Sequence, residues 1–112
     1  MIRKEIVLPA PREDVWSALT DPDELERWFA NDVELDLRPG GGAVFRWSNG
    51  ESRRACVTEV EPGQRLAFEW EEEGEVEFTL ADDVDGTRLT VVETSPAWTT
   101  ALDLRAQAFA HA

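Results

Sequence analysis

Leu66-Ala67-Phe68-Glu69-Trp70 and Glu75-Val76-Glu77-Phe78-Thr79-Leu80 decide how this chain folds. In both runs every second residue is large and apolar, and most of the residues between are polar or acidic. A period of two belongs to a strand with one dry face and one wet face. Asp85-Gly86 marks a hairpin, and Leu89 to Val92 follows as another strand. Toward the N-terminus, Glu61-Pro62-Gly63 is a turn and Arg54 to Val60 is strand-like. Asn49-Gly50 is a strong two-residue hairpin signal. Phe45 and Trp47 alternate before it, Arg38-Pro39-Gly40-Gly41-Gly42 is a turn, and Val33, Leu35 and Leu37 alternate with acids.

The first third of the chain reads differently. Ile2 to Leu8 alternates as a strand, and Pro9-Ala10-Pro11 ends it. Val15, Ala18 and Leu19 then fall at the i, i+3, i+4 spacing of one helical face. Asp21 is a helix cap, Pro22 suits the first turn, and Glu24 three residues on predicts a capping box. A second short helix therefore carries Leu25, Trp28 and Phe29. From Pro96 onward the chain is alanine-rich and free of glycine, which predicts a long final helix. The expected order is one strand, two short helices, six strands and one helix, in a single domain over residues 1–112. A sheet dry on one side needs a cover, and the final helix is the only element long enough. The expected architecture is α+β: a curved antiparallel sheet of about seven strands wrapped on the C-terminal helix, with a cavity near the two short helices.

Charge narrows the partners. The chain has 24 acidic residues against 11 Lys and Arg, a net charge of −13. Such a surface repels phosphate backbones and anionic membranes, so neither nucleic acid nor membrane is an expected partner. The plain reading of the acid excess is solubility; the functional one is docking to a basic partner protein. No run approaches 18 apolar residues, and the N-terminus lacks the apolar stretch of a signal peptide. With a single free cysteine, Cys56, a cytoplasmic location is expected.

The inventory leans away from catalysis. The one histidine, His111, is next to the last residue, there is no tyrosine, and no serine sits in a nucleophile elbow. Gly40-Gly41-Gly42 lacks the Lys-Ser/Thr of a phosphate loop. No catalytic residue, metal ligand or cofactor is assigned. Glu69, Glu71, Glu75 and Glu77 alternate opposite the large apolar residues, which puts them on the wet face. Lys4 shares its parity with Ile2, Ile6 and Leu8, which predicts an inner or edge position.

Aromatic residues remain. Read structurally, Trp28, Phe29, Phe45, Trp47, Phe68, Trp70, Phe78, Trp98 and Phe109 are core. Read functionally, Trp28, Phe29, Trp47, Trp70 and Trp98 are the mouth of a pocket for a ring-bearing or acyl molecule. On the final helix, at roughly 100° per residue, Trp98, Leu102, Arg105 and Phe109 fall within about 60° of one another. Arg105 thus shares a face with three bulky apolar residues. It must pair with a carboxylate, reach the rim or meet an anionic ligand group. These eleven residues are the expected ligand-contacting set.

Several stretches carry a family resemblance: Glu5-Ile6-Val7-Leu8-Pro9-Ala10-Pro11, Leu19-Thr20-Asp21-Pro22, Arg27-Trp28-Phe29, Asp36-Leu37-Arg38-Pro39-Gly40-Gly41, Leu66-Ala67-Phe68-Glu69-Trp70 and Gly86-Thr87-Arg88-Leu89-Thr90-Val91. Together they resemble the activator of heat-shock protein 90 ATPase homologue family, within the START-like (helix-grip, polyketide-cyclase-like) superfamily. The resemblance implies the helix-grip fold. It also implies a choice of roles, since similar proteins include co-chaperone domains, lipid and polyketide binders, and aromatase/cyclases. Two departures stand out. Glu93 to Trp98 passes almost directly from the last strand to the final helix, which implies a smaller or more open pocket. Arg105 stands where the family tends to place a bulky apolar residue. The expected function is non-enzymatic binding of a small hydrophobic or amphipathic molecule. The alternatives are a cyclase or dehydratase acting on a polyketide-like substrate, and a co-chaperone-like regulator of a partner ATPase.

Overall fold

Alternating apolar residues build most of the described structure, a computed structural model that describes residues 1–94. The strands are β1 (Ile2–Leu8), β2 (Asp32–Leu35), β3 (Gly42–Arg46), β4 (Ser52–Glu61), β5 (Arg65–Trp70), β6 (Glu75–Asp83) and β7 (Gly86–Glu93). The helices α1 (Arg12–Thr20) and α2 (Pro22–Trp28) lie between β1 and β2. All seven strands form one antiparallel sheet in the order β1-β7-β6-β5-β4-β3-β2. Consecutive strands from β2 onward are neighbours, and β1 closes onto β7. This is the α+β helix-grip architecture expected from the sequence. The expected final helix lies outside the described residues. No helix among the described residues is long and apolar enough to cross a membrane.

Register assigns each face. Opposed residues of antiparallel strands share a side, so Val33, Phe45, Ala55, Trp70, Phe68, Val76, Phe78, Leu89 and Val91 lie on one inner surface, and all are buried. Glu69 and Glu75 are exposed on the other surface and Glu77 is half-buried there, as the alternation predicts. Helix α1 packs toward β6 and β7 through Val15, Ala18 and Leu19. Helix α2 packs on α1 and β2 with Leu25 fully buried. The two helices therefore cover part of the inner surface.

Two local expectations are corrected. Asp21 caps α2, accepting a hydrogen bond from the Asp23 N–H at 2.9 Å. The reciprocal half of the capping box is not made, because the Asp21 N–H is already donated to Ser17 O as the last bond of α1. Leu37 does not continue β2. The chain turns at Asp36, whose N–H bonds Gly42 O, and Leu37 is left exposed in the loop.

The sheet also carries an irregularity. Between Val57 and Glu59 the β4–β5 register shifts, so Thr58 is an extra residue and the inward position passes to Val60 opposite Leu66. The turn before β3 docks at this bulge: Gly40 N–H bonds Val57 O at 2.7 Å, and Val57 N–H bonds Gly41 O at 2.8 Å. A Cβ at Gly41 would collide with the carbonyl oxygen of Asp36, so this close backbone approach requires glycine.

Edge strand β2 is held by charge. Arg46 reaches Asp32 at 2.6 Å and Glu34 at 2.7 Å across the β2–β3 pair. Hydrogen bonds donated to Glu34 and then to Asp32 raise the pKa of the Arg46 guanidinium above its ordinary value. A cation with a raised folded-state pKa contributes fully below its unfolded value and loses that contribution only as pH rises through the folded one. The clamp is therefore constant through the neutral range.

Candidate ligand-binding site

At one end of the inner surface, the end of α2 meets strand β3 and the residue that follows it. Phe29, the residue that closes α2, is the hub. Its ring centroid lies 5.8 Å from Trp28, 5.2 Å from Phe45 and 5.5 Å from Trp47. Phe45 continues the contact to Trp70 at 5.8 Å and inward to Phe68 at 6.3 Å; Phe68 reaches Phe78 at 6.3 Å. The angles of 65° to 90° at the Phe45 contacts and between Phe29 and Trp47 are edge-to-face, the geometry that ring quadrupoles favour.

Four of the five predicted mouth residues, Trp28, Phe29, Trp47 and Trp70, are thus joined through Phe29 and Phe45. Phe45, Phe68 and Phe78, also of the expected ligand-contacting set, are fully buried behind them, at 0 to 1% exposure. Trp98, Leu102, Arg105 and Phe109 lie outside the described residues. Trp28 and Trp47 are half-buried, and an open hollow of about 200 Å³ lies against Trp28, lined by residues 26–31.

The indole N–H groups of Trp28 and Trp47 are already engaged. Trp28 Nε1 donates to Ala18 O at 2.8 Å, which fixes α2 to α1. Trp47 Nε1 donates to Phe29 O at 2.7 Å, which ties the end of α2 to the residue after β3. These two indoles therefore offer ring faces and edges to a ligand, with no free N–H. Contact at this end is apolar unless another side chain supplies polarity.

Arg53, outside the expected set, supplies it beside the rings, and Glu93, also outside that set, adds a second charge farther across the same surface. Arg53 on β4 stands opposite Phe45, and its guanidinium carbon lies 3.9 Å from the Trp70 ring centroid. Glu93 on β7 stands between Ile2 and Val76 and is only 1% exposed. Parity was the available signal: Arg53 precedes Ala55 by two, and Glu93 follows Leu89 and Val91 by the same step. Lys4 lies in the same inner row, opposite Val91, as its parity predicts. Among the described residues no three acidic, His or Cys side chains converge as metal ligands.

Comparison with known proteins places this architecture. Residues 9–110 match the family described as Activator of Hsp90 ATPase homolog 1-like protein. The chain belongs to that family. Comparison with curated proteins finds no match. Among solved structures, protein MLL2253 from Mesorhizobium loti superposes with a TM-score of 0.83 at 22% identity, covering 95% of this chain and 93% of that one. CalU16 from Micromonospora echinospora is 32% identical, with a TM-score of 0.73 and coverage of 96% and 73%. DynU16, a protein of the dynemicin biosynthetic locus, is 29% identical with a TM-score of 0.76; the match covers 95% of this chain and 42% of that one. The helix-grip reading and the family are thus established together, the first by the superpositions and the second by the matched length.

Proposed function

We propose that this member of the activator-homologue family binds a small hydrophobic or amphipathic molecule at the aromatic end of its inner surface, without chemical turnover. The observation that carries the reading is the ring cluster of Trp28, Phe29, Phe45, Trp47 and Trp70, in which the Trp28 and Trp47 indoles are half-buried and an open hollow lies against Trp28. The engaged N–H groups of Trp28 and Trp47 and the run of ring contacts favour a ring-bearing or acyl ligand over a sugar or nucleotide. Tryptophan fluorescence and thermal shift against fatty acids, sterols, flavonoids and polyketides test it. At least one class is expected to bind, and Trp47→Ala is expected to weaken that binding more than about tenfold while the protein stays folded. Absence of binding across all four classes would remove the reading.

Two other readings have specific support. The first is a cyclase or dehydratase acting on a polyketide-like substrate, in which the pocket orients a reactive chain; it fits the likeness to DynU16, a protein of a biosynthetic locus. Glu93 is the buried acid such chemistry would need, with Lys4 in the same row. Turnover that survives Glu93→Gln and Lys4→Met would defeat that reading. The family description and the charge of −13 favour a regulator docking on a partner ATPase. Failure to retain the host heat-shock ATPase in a pull-down would defeat that one.

A further inference from the structure

Arginines in this protein have an ample choice of acids, and most have taken one. Seven of the nine described arginines lie within 3.7 Å of a carboxylate oxygen. Arg53 and Arg54 are the two that do not. Arg54 points from the outer surface and is exposed, where water solvates it. Arg53 is on the inner surface, half-buried, opposite the fully buried Phe45 and against Trp70. Among the described residues its guanidinium donates no hydrogen bond, and the Trp70 ring is its one partner.

That placement has a chemical consequence. A guanidinium resting on an indole keeps its N–H donors for a planar anion, and the ring stack restricts where the fork can go. Trp28 and Trp47 have given their N–H groups to backbone carbonyls, and Arg53 is the cation that rests on this ring cluster without a carboxylate among the described residues. We propose that Arg53 reads the anionic group, a carboxylate or sulfonate, of an amphipathic ligand whose apolar body lies on the ring cluster. This deepens the binding proposal above and rests on it. It also gives a specificity with a sign: a protein of net charge −13 repels anions in general, so a preference for them requires a local cation aimed at the site.

Two probes that share their rings test it: 1-anilinonaphthalene-8-sulfonate, and N-phenyl-1-naphthylamine, which lacks the sulfonate. Fluorescence titration of the intact protein is expected to show the sulfonate probe bound at least about tenfold more tightly. Arg53→Gln is expected to abolish that preference by weakening the sulfonate probe alone. Arg54→Gln removes the same charge from the opposite surface and is expected to leave the preference intact. Should Arg53→Gln not fold, Arg53→Lys keeps the charge but not the fork and is expected to cut the preference at least about threefold. Equal binding of the two probes to the wild type would overturn the assignment of Arg53 and leave the pocket standing. So would a preference that survives at residue 53, or one lost equally in Arg54→Gln. Failure of both probes to bind would overturn the assignment and the pocket together.

Discussion

Thr87 illustrates how one hydroxyl joins distant parts of this fold. It lies fully buried on the inner surface at the start of β7, and its Oγ1 donates to Ala10 O at 2.7 Å. The bond fastens the chain leaving β1 to the strand that β1 pairs with. Beside it, Gly86 holds φ at +138°, and a Cβ there would strike the Leu8 carbonyl oxygen. Backbone and hydroxyl thus form one tight junction. Thr87→Val keeps the shape but leaves a buried carbonyl without its donor. We expect a loss of about 1–3 kcal/mol in urea unfolding. Thr90→Val, on the outer surface of the same strand, is expected to change stability by less than about 0.5 kcal/mol. Asp85-Gly86 is legible in the sequence as a turn. That Gly86 must be glycine because Leu8 approaches it is not, since the collision involves a strand remote in the chain.

Among elements, α2 is the one on which the candidate site depends. Seven residues make too short a helix to persist by propensity, so caps and packing hold it. Asp21 supplies the cap at one end, and Phe29 closes the other end against Phe45 and Trp47. Asp21→Ala is expected to destabilise by about 1 kcal/mol, while Asp21→Asn is expected to be nearly neutral, because Asn also accepts from the second helical N–H. Denaturant midpoints with unchanged slopes would verify both. The cap was legible from Asp21-Pro22; the missing half of the box was not, because it depends on where α1 ends. In β4 the bulge left a trace in the sequence, two polar residues, Thr58 and Glu59, between inward Val57 and Val60. The docking of Gly40 and Gly41 upon it left none.

At the scale of the molecule, charge decides behaviour in solution. The described ion pairs are mostly between partly exposed side chains, and such pairs are each worth about 1 kcal/mol or less. Against them stands an excess of 13 negative charges. Salt weakens both the pairing and the repulsion, and the repulsion among unpaired carboxylates is the stronger of the two. Raising NaCl from low to about 0.5 M is therefore expected to raise the melting temperature by about 3 °C or more. A fall in a thermal scan would mean that the ion pairs outweigh the repulsion. The same excess makes an inward arginine without a carboxylate notable, and ties the specificity proposed for Arg53 to the composition of the whole chain.

By itself the sequence determined the order of elements, the inward row of each strand and the family. Those properties are local: a strand alternates with a period of two and a helix repeats every 3.6 residues, whatever lies elsewhere. Four of the predicted mouth rings could be named for the same reason. Only the tertiary structure decided that Phe29 joins them, that Trp28 and Trp47 spend their N–H groups on backbone, and that Arg53 rests on Trp70 while most other arginines find acids. Such outcomes are set by neighbours brought together from distant strands. A chain with 24 carboxylates carries no local mark of which arginine will be left without one.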